Sequence, residues 1–409
     1  MRQTLKFDPR ASLVVRRRVL RWRLLAVSAI VAALIILSEV WKAEEVKITG
    51  PEEVVFDWSQ DACEPADIPD TPARAFRDAQ GRVQLIASHY VNRRMSGPDL
   101  DHLTHDCSVI MSSHYDPDPA TFDDREWIHS TYTPDGETVF GLVHDEYQGH
   151  THPGRCPSGE YFKCWYNAVT LAVSTDGGAS FEHAAPPPNH LVAAIPYPYV
   201  PDSGPAGIFQ PSNIVHNADE DLYYALLRVQ QHQAQPQGIC IMRTTDLADP
   251  KSWRAWDGAR FDVRFINPYL EPNERPQDHI CQPVSYQEIQ LMVESLTFNT
   301  YLDSFLLVGT AVETDLDGET TSGIYYSTSE DLIHWTPRKL IMEVESRQTH
   351  QCGDPDPVAY PSVLDPDSTS RNFETTGRRA YLYFTRYNYE ACKETADRDL
   401  VRVPMEFPG

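Results

Sequence analysis

Beyond residue 42 the chain holds no long stretch of helical apolar periodicity. Short β-rich runs recur instead, separated by Asp-Gly, Asn-Ala-Asp or proline-rich turns, which points to an all-β fold. The repeating unit is a first strand, a polar turn, a strongly apolar second strand, and a third strand that runs into Ser/Thr-x-Asp and then Trp or Phe. Five such units are predicted. They comprise residues 73–76, 83–89 and 107–113; 127–132, 139–147 and 167–174; 212–216, 222–229 and 238–244; 293–299, 305–312 and 323–327; and 360–364, 380–387 and 400–407. Five repeats of this kind fit a five-bladed β-propeller, whereas a β-sandwich with insertions leaves the repeat unexplained. The last unit lacks an outer strand. Residues 54–58, the unassigned β-like run near the other terminus, are expected to close the ring there.

The turns after the third strands sharpen this reading. Ser174-Thr175-Asp176-Gly177-Gly178-Ala179-Ser180-Phe181 follows the Asp-box pattern S-x-D-x-G-x-x-[WF]. Looser copies are Thr244-Thr245-Asp246 with Trp253, and Ser327-Thr328-Ser329-Glu330-Asp331 with His334-Trp335. In such a turn the carboxylate accepts backbone N–H groups, glycine supplies positive φ, and the aromatic packs between sheets. The motif marks fold and not chemistry. On these residues the chain resembles the five-bladed β-propeller glycosidases, the superfamily of arabinanases, β-xylosidases and fructosidases, and it shares the Asp box with sialidases. The resemblance implies a funnel on one face where sugars bind and carboxylates act.

In such propellers, first strands start at the funnel and second strands return to it. Glycoside hydrolysis needs two carboxyl groups, one acting as acid and one as base or nucleophile. Three candidates follow: Glu294, an acid in an apolar run; Glu146, at the end of the run 139–147; and Asp70, nearest to where the family's first-blade base falls. Substrate-binding candidates from the same ends of strands are Arg74, His89, His129, His144, Tyr147, Gln210, Asn213, Arg228, Tyr360 and Arg386. The sequence departs from the family in one respect. The family's acid Glu opens the third blade, but here that strand begins Gln210-Pro211-Ser212-Asn213. A glycosidase and a glycan-binding propeller that does not cleave are therefore both readings of this funnel. His144, His150 and His152 with Asp145 read as a disulfide-clipped loop, so no metal is assigned, and no cofactor is implied.

The amino end sets the compartment. Residues 1–23 form a basic tail whose Arg16, Arg17, Arg18, Arg21 and Arg23 lead into the apolar run 24–37. With Val40 and Trp41 this reads as a single-pass signal anchor over 24–41, with the tail cytoplasmic and all that follows outside. Residues 42–64 are a linker with the ring-closing run, and 65–409 are the propeller. Eight cysteines all follow the anchor, in keeping with an oxidising compartment, and Cys156 with Cys164 is expected to pair locally. The formal net charge is −24 and the basic residues cluster in the tail, so the body is more acidic still and unsuited to nucleic acid. The expected partners are carbohydrate and, through residues 24–41, a membrane.

Overall fold

The structure is a computed structural model that describes residues 46–314, 317–347 and 350–408. The anchor expected over 24–41 and the basic tail lie outside these residues. Among the described residues no helix is long and apolar enough to cross a membrane.

Almost all regular structure is antiparallel β. Two short strands, β1 (Lys47–Ile48) and β2 (Glu53–Phe56), precede blade I, which comprises β3 (Arg74–Arg77), β4 (Val83–Ile86), β5 (Val91–Gly97) and β6 (Thr104–Ser112). Blade II has β7 (Arg125–Tyr132), β8 (Val139–Gln148) and β9 (Trp165–Ser174), with β10 (Glu182–His183) and β11 (Leu191–Ala193) both lying along β9. Blade III starts on a broken strand, β12 (Ala206–Pro211) then β13 (Val215–Asn217), and continues through β14 (Leu222–Val229), β15 (Gly238–Thr244) and β16 (Arg254–Ala255). Blade IV is β17 (Ser295–Asn299), β18 (Ser304–Thr314), β19 (Thr320–Ser329) and β20 (Lys339–Glu343). Blade V is β21 (Val358–Leu364), β23 (Arg379–Tyr387) and β24 (Arg398–Glu406), while β22 (Thr375–Thr376) crosses to pair in parallel with β17. The fourth place in blade V is filled by β2 and β1, both antiparallel to β24, with Val54 opposite Val401 and Lys47 opposite Glu406.

Blade I differs from the sequence expectation. The second strand stops at Ile86, an additional strand β5 follows, and residues 104–112 are the fourth strand. Strand β5 escapes pattern reading because its buried positions carry charge: Arg93 is held by Glu64 at 2.7 Å instead of packing as a hydrophobe.

Each neighbouring pair of blades is joined near the centre by a side chain that serves the next blade's backbone. Asn92 Oδ1 accepts from the Ile128 amide at 2.8 Å, and Ser130 Oγ from the Ile214 amide at 3.1 Å. Asn213 Oδ1 accepts from the Leu296 amide at 2.7 Å, and Ser295 Oγ from the Val363 amide at 3.0 Å. Ser362 Oγ donates to the Ala73 carbonyl at 2.7 Å, which returns the series to blade I. Buried backbone groups must be paired, so these short polar residues fix both blade order and closure.

The Asp boxes lie in the turns after the third strands of blades II, III and IV. Asp176 accepts from the Ser180 amide at 2.9 Å, Asp246 from the Ala248 amide at 2.9 Å, and Asp331 from the His334 amide at 2.8 Å. Phe181, Trp253 and Trp335 are each buried behind their turns. In the first box Gly178 sits at φ +82°, and a Cβ there would lie 2.6 Å from the ring of Phe76 in blade I. The turn needs glycine for its conformation and for that close approach.

Candidate functional site

The blades surround a cavity of about 650 Å³. Of the thirteen residues expected at the funnel, Asp70, His89, His129, His144, Glu146, Gln210, Arg228, Glu294 and Tyr360 line it.

Asp70 precedes blade I and is gripped from three sides. Arg398 Nη1 donates to Oδ1 at 2.5 Å, the Tyr360 hydroxyl donates to the same oxygen at 3.2 Å, and Trp127 Nε1 donates to Oδ2 at 3.3 Å. His89 Nε2 stands 3.7 Å from Oδ2, and burial lowers the pKa of this imidazole. The carboxylate is therefore held by a cation and two neutral donors.

Glu146 lies near the end of β8 and is buried. Burial pushes its carboxyl up to about 7; Tyr161 and Gln148 pull it down by hydrogen bonding, and the charge of Asp70 raises it further. The Tyr161 hydroxyl donates to Oε1 at 2.5 Å and Gln148 Nε2 donates to the same atom at 2.6 Å. Tyr161 arrives on the loop clipped by Cys156–Cys164, the pair expected from spacing. The same loop brings Phe162, 64% exposed, to the cavity wall, and Trp165 stacks on Tyr161 with ring centroids 4.9 Å apart.

Glu294 immediately precedes β17. The Thr310 hydroxyl donates to its Oε1 at 2.8 Å, and the Val293 amide to Oε2 at 2.9 Å. A side chain on Gly309 would collide with Oε2, so glycine leaves room for the carboxylate.

His144 is pushed down to about 4 by burial, and burial also lowers His129 well below the usual imidazole range. His129 Nδ1 donates to the Pro211 carbonyl at 2.9 Å. Buried polar atoms without a hydrogen-bond partner on cavity residues include His144 Nε2, Gln210 Oε1, Trp165 Nε1 and Arg398 Nε. Polar atoms left open within a cavity are the groups a polyhydroxylated ligand would satisfy.

Four expected residues lie elsewhere. Tyr147 follows Glu146 on a strand, so its side chain takes the opposite face. It packs in the hydrophobic core of blades II and III and its hydroxyl donates to the Pro117 carbonyl at 3.0 Å. Arg74 is buried among the inner strands, where Nε donates to the His129 carbonyl at 2.9 Å and Nη2 to the Glu294 carbonyl at 2.6 Å. Asn213 is spent on the backbone of Leu296. Arg386 pairs with Asp399 at 2.6 Å and with Glu52.

Sequence reading missed Trp127, Tyr161, Trp165, Phe209, Arg347, Tyr387, Glu394 and Arg398, all of which line the cavity. Strand alternation from His129 would have found Trp127 two residues earlier on the same face. Arg398 opens a third strand, a place from which no funnel residue was sought. His152 does not face the cavity; its Nε2 bonds Asp124 at 2.9 Å.

No family model matches the chain, and no curated protein matches it. Solved structures do. A sucrose-6-phosphate hydrolase from Lactobacillus gasseri is 12% identical with TM-score 0.48, covering 84% of this chain and 62% of its own. An α-L-arabinanase from Cellvibrio cellulosa complexed with arabinohexaose is 11% identical with TM-score 0.45, covering 82% of this chain and 90% of its own. A thermostable family-43 glycoside hydrolase is 10% identical with TM-score 0.44, covering 84% and 93%.

Proposed function

We propose that the chain is an extracytoplasmic glycoside hydrolase, tethered to a membrane by residues 24–41, that acts on a poly- or oligosaccharide. One observation carries this reading. A single cavity contains a buried carboxyl raised to about 7 and a second carboxylate held by an arginine, a tyrosine and a tryptophan. A carboxyl raised by burial beside a second, hydrogen-bonded carboxylate is the pair of groups that glycoside hydrolysis needs.

In the proposed mechanism Glu146 protonates the glycosidic oxygen as the bond to the anomeric carbon breaks. Asp70 either takes the proton of an attacking water or attacks the anomeric carbon itself. Glu294, fixed by Thr310 and the Val293 amide, is the third carboxylate and orients sugar hydroxyls with Gln210, Arg228 and His144. Trp127, Trp165 and Phe162 supply faces for sugar rings. No cofactor takes part. The arginine cluster before the apolar run supports the tether, and four disulfides support an oxidising compartment.

The test is sugar release from a panel of arabinans, xylans, fructans and envelope polysaccharides by wild type, Glu146→Gln and Asp70→Asn. Each variant is expected to lose about 10²–10⁴-fold in rate while still binding substrate. Binding without release by wild type across the panel would make the protein a glycan-holding propeller. Full activity in both variants would remove these residues from the mechanism.

A further inference from the structure

Away from the cavity, four side chains from blades I and II converge on one point. His114 follows β6, Asp123 and Glu126 lie at the entry to β7, and His183 lies in β10 on the far side of β9. One ligand-type atom from each falls within 4.8 Å of all the others, and none of the four lines the cavity. His114 Nδ1 is 2.6 Å from Asp123 Oδ1 and 3.8 Å from Glu126 Oε2. His183 Nε2 is 2.7 Å from Glu126 Oε1 and 3.7 Å from Asp123 Oδ1. A tetrahedral zinc site with metal–ligand bonds of about 2.0 Å has ligand–ligand edges of about 3.3 Å. The separations, which involve both carboxylate oxygens of Glu126, lie on either side of that value.

A second observation points to a ligand. Glu126 is fully buried, and its Oε2 has no hydrogen-bond partner although it faces this cluster. A buried carboxylate oxygen without a partner is costly, and a cation at the centre of the cluster would remove that cost. Two neutral imidazoles and two carboxylates also balance the charge of a divalent ion. The surroundings hold the set in place. The Glu126 amide donates to Ser113 Oγ at 2.9 Å, and its carbonyl accepts from Asn92 Nδ2 at 2.8 Å. The ring of His190 packs on His183 with centroids 4.3 Å apart. His114, 60% exposed, provides the way in from solvent.

We propose that His114, Asp123, Glu126 and His183 bind one zinc ion, which clamps the outer end of blade I to blade II and takes no part in sugar chemistry. Mixed imidazole and carboxylate donors suit zinc over the all-oxygen preference of calcium or magnesium.

The experiment uses the oxidised protein, freed of metal by a chelator and titrated with Zn²⁺ against a chromophoric indicator. Co²⁺ substitution reports the geometry through its visible bands. One equivalent should bind, with a four-coordinate Co²⁺ spectrum and a raised melting temperature. Glu126→Gln and His114→Ala should each weaken binding at least about 100-fold, beyond the effect of an outer-shell change. His114 is exposed enough for its variant to fold even if Glu126→Gln does not. Failure to bind one equivalent, a preference for Ca²⁺, or wild-type affinity in His114→Ala would each overturn the proposal.

Discussion

Glu146 owes its character to one strand position. Its neighbour Tyr147, one residue on, is consumed by the core, while Glu146 and His144 share the cavity face. With its carboxyl near 7, Glu146 is protonated over the acidic range and loses its proton as pH rises through neutrality. As general acid it should therefore set an alkaline limb of kcat/KM near pH 7, measurable as initial rates across pH. Tyr161 donates a hydrogen bond that lowers this carboxyl, so Tyr161→Phe should move the limb to higher pH. An unmoved limb would separate the limb from Glu146. Glu146 and Glu294 were legible as acids at the end of, or within, apolar runs, and Asp70 only through the family resemblance. What could not be read was their partners: Arg398 lies far along the chain from Asp70, and no local pattern links two residues brought together by ring closure.

At the scale of elements, the loop from β8 to β9 carries Tyr161 and Phe162 to the cavity, and Cys156–Cys164 fixes its shape. Replacing both cysteines with serine should cost about 2–3 kcal/mol, the value for closing a loop of this length. It should also raise KM more than it lowers kcat, since the aromatic wall loosens while Asp70 and Glu294 stay on their own blades. Steady-state kinetics beside denaturant midpoints would show this, and an unchanged KM would make the clip purely structural. The disulfide could be foreseen from spacing; that it served the site could not. Strands were legible wherever the chain forms a strongly apolar run, as in β8 and β14. They were lost where polar and charged residues interrupt the run, as Asn92, Arg93 and Arg94 do in β5, and where a strand is too short to show a period, as in β10 and β16.

At the scale of the whole molecule, Arg74 is the residue on which the blades converge. From blade I it bonds the backbone of blade II at His129, the backbone beside blade IV at Glu294, and the Ser362 hydroxyl of blade V at 3.4 Å. Burial pulls its guanidinium down to about 9, and the nearby Glu294 opposes that shift. Arg74→Ala strands two buried carbonyl acceptors and should cost about 3–5 kcal/mol in chemical denaturation. Arg74→Lys should recover little, because one ammonium cannot span acceptors in different directions. Stability near wild type in either variant would show that the other inter-blade bonds suffice. The five-fold repeat and its closure by an amino-terminal strand were readable from the sequence. The central polar residues were not, since Ser130, Ser295 and Ser362 look like any serine until the ring places them.

The closing strand and the first disulfide together have a mechanical meaning. A pull at Val46 loads β1 and β2 against β24, and the chain then crosses to blade I, where Cys63 is bonded to Cys107. Residues 46–62 can peel away, about 60 Å of extended chain, before tension reaches that bond. There the load passes straight into β6 and bypasses the three earlier strands of blade I. Under oxidising conditions the ring yields a short tether and then stops. Under reducing conditions the same force would draw out the 44-residue interval between the two cysteines, roughly a further 150 Å, and unravel the first blade from its inner strand.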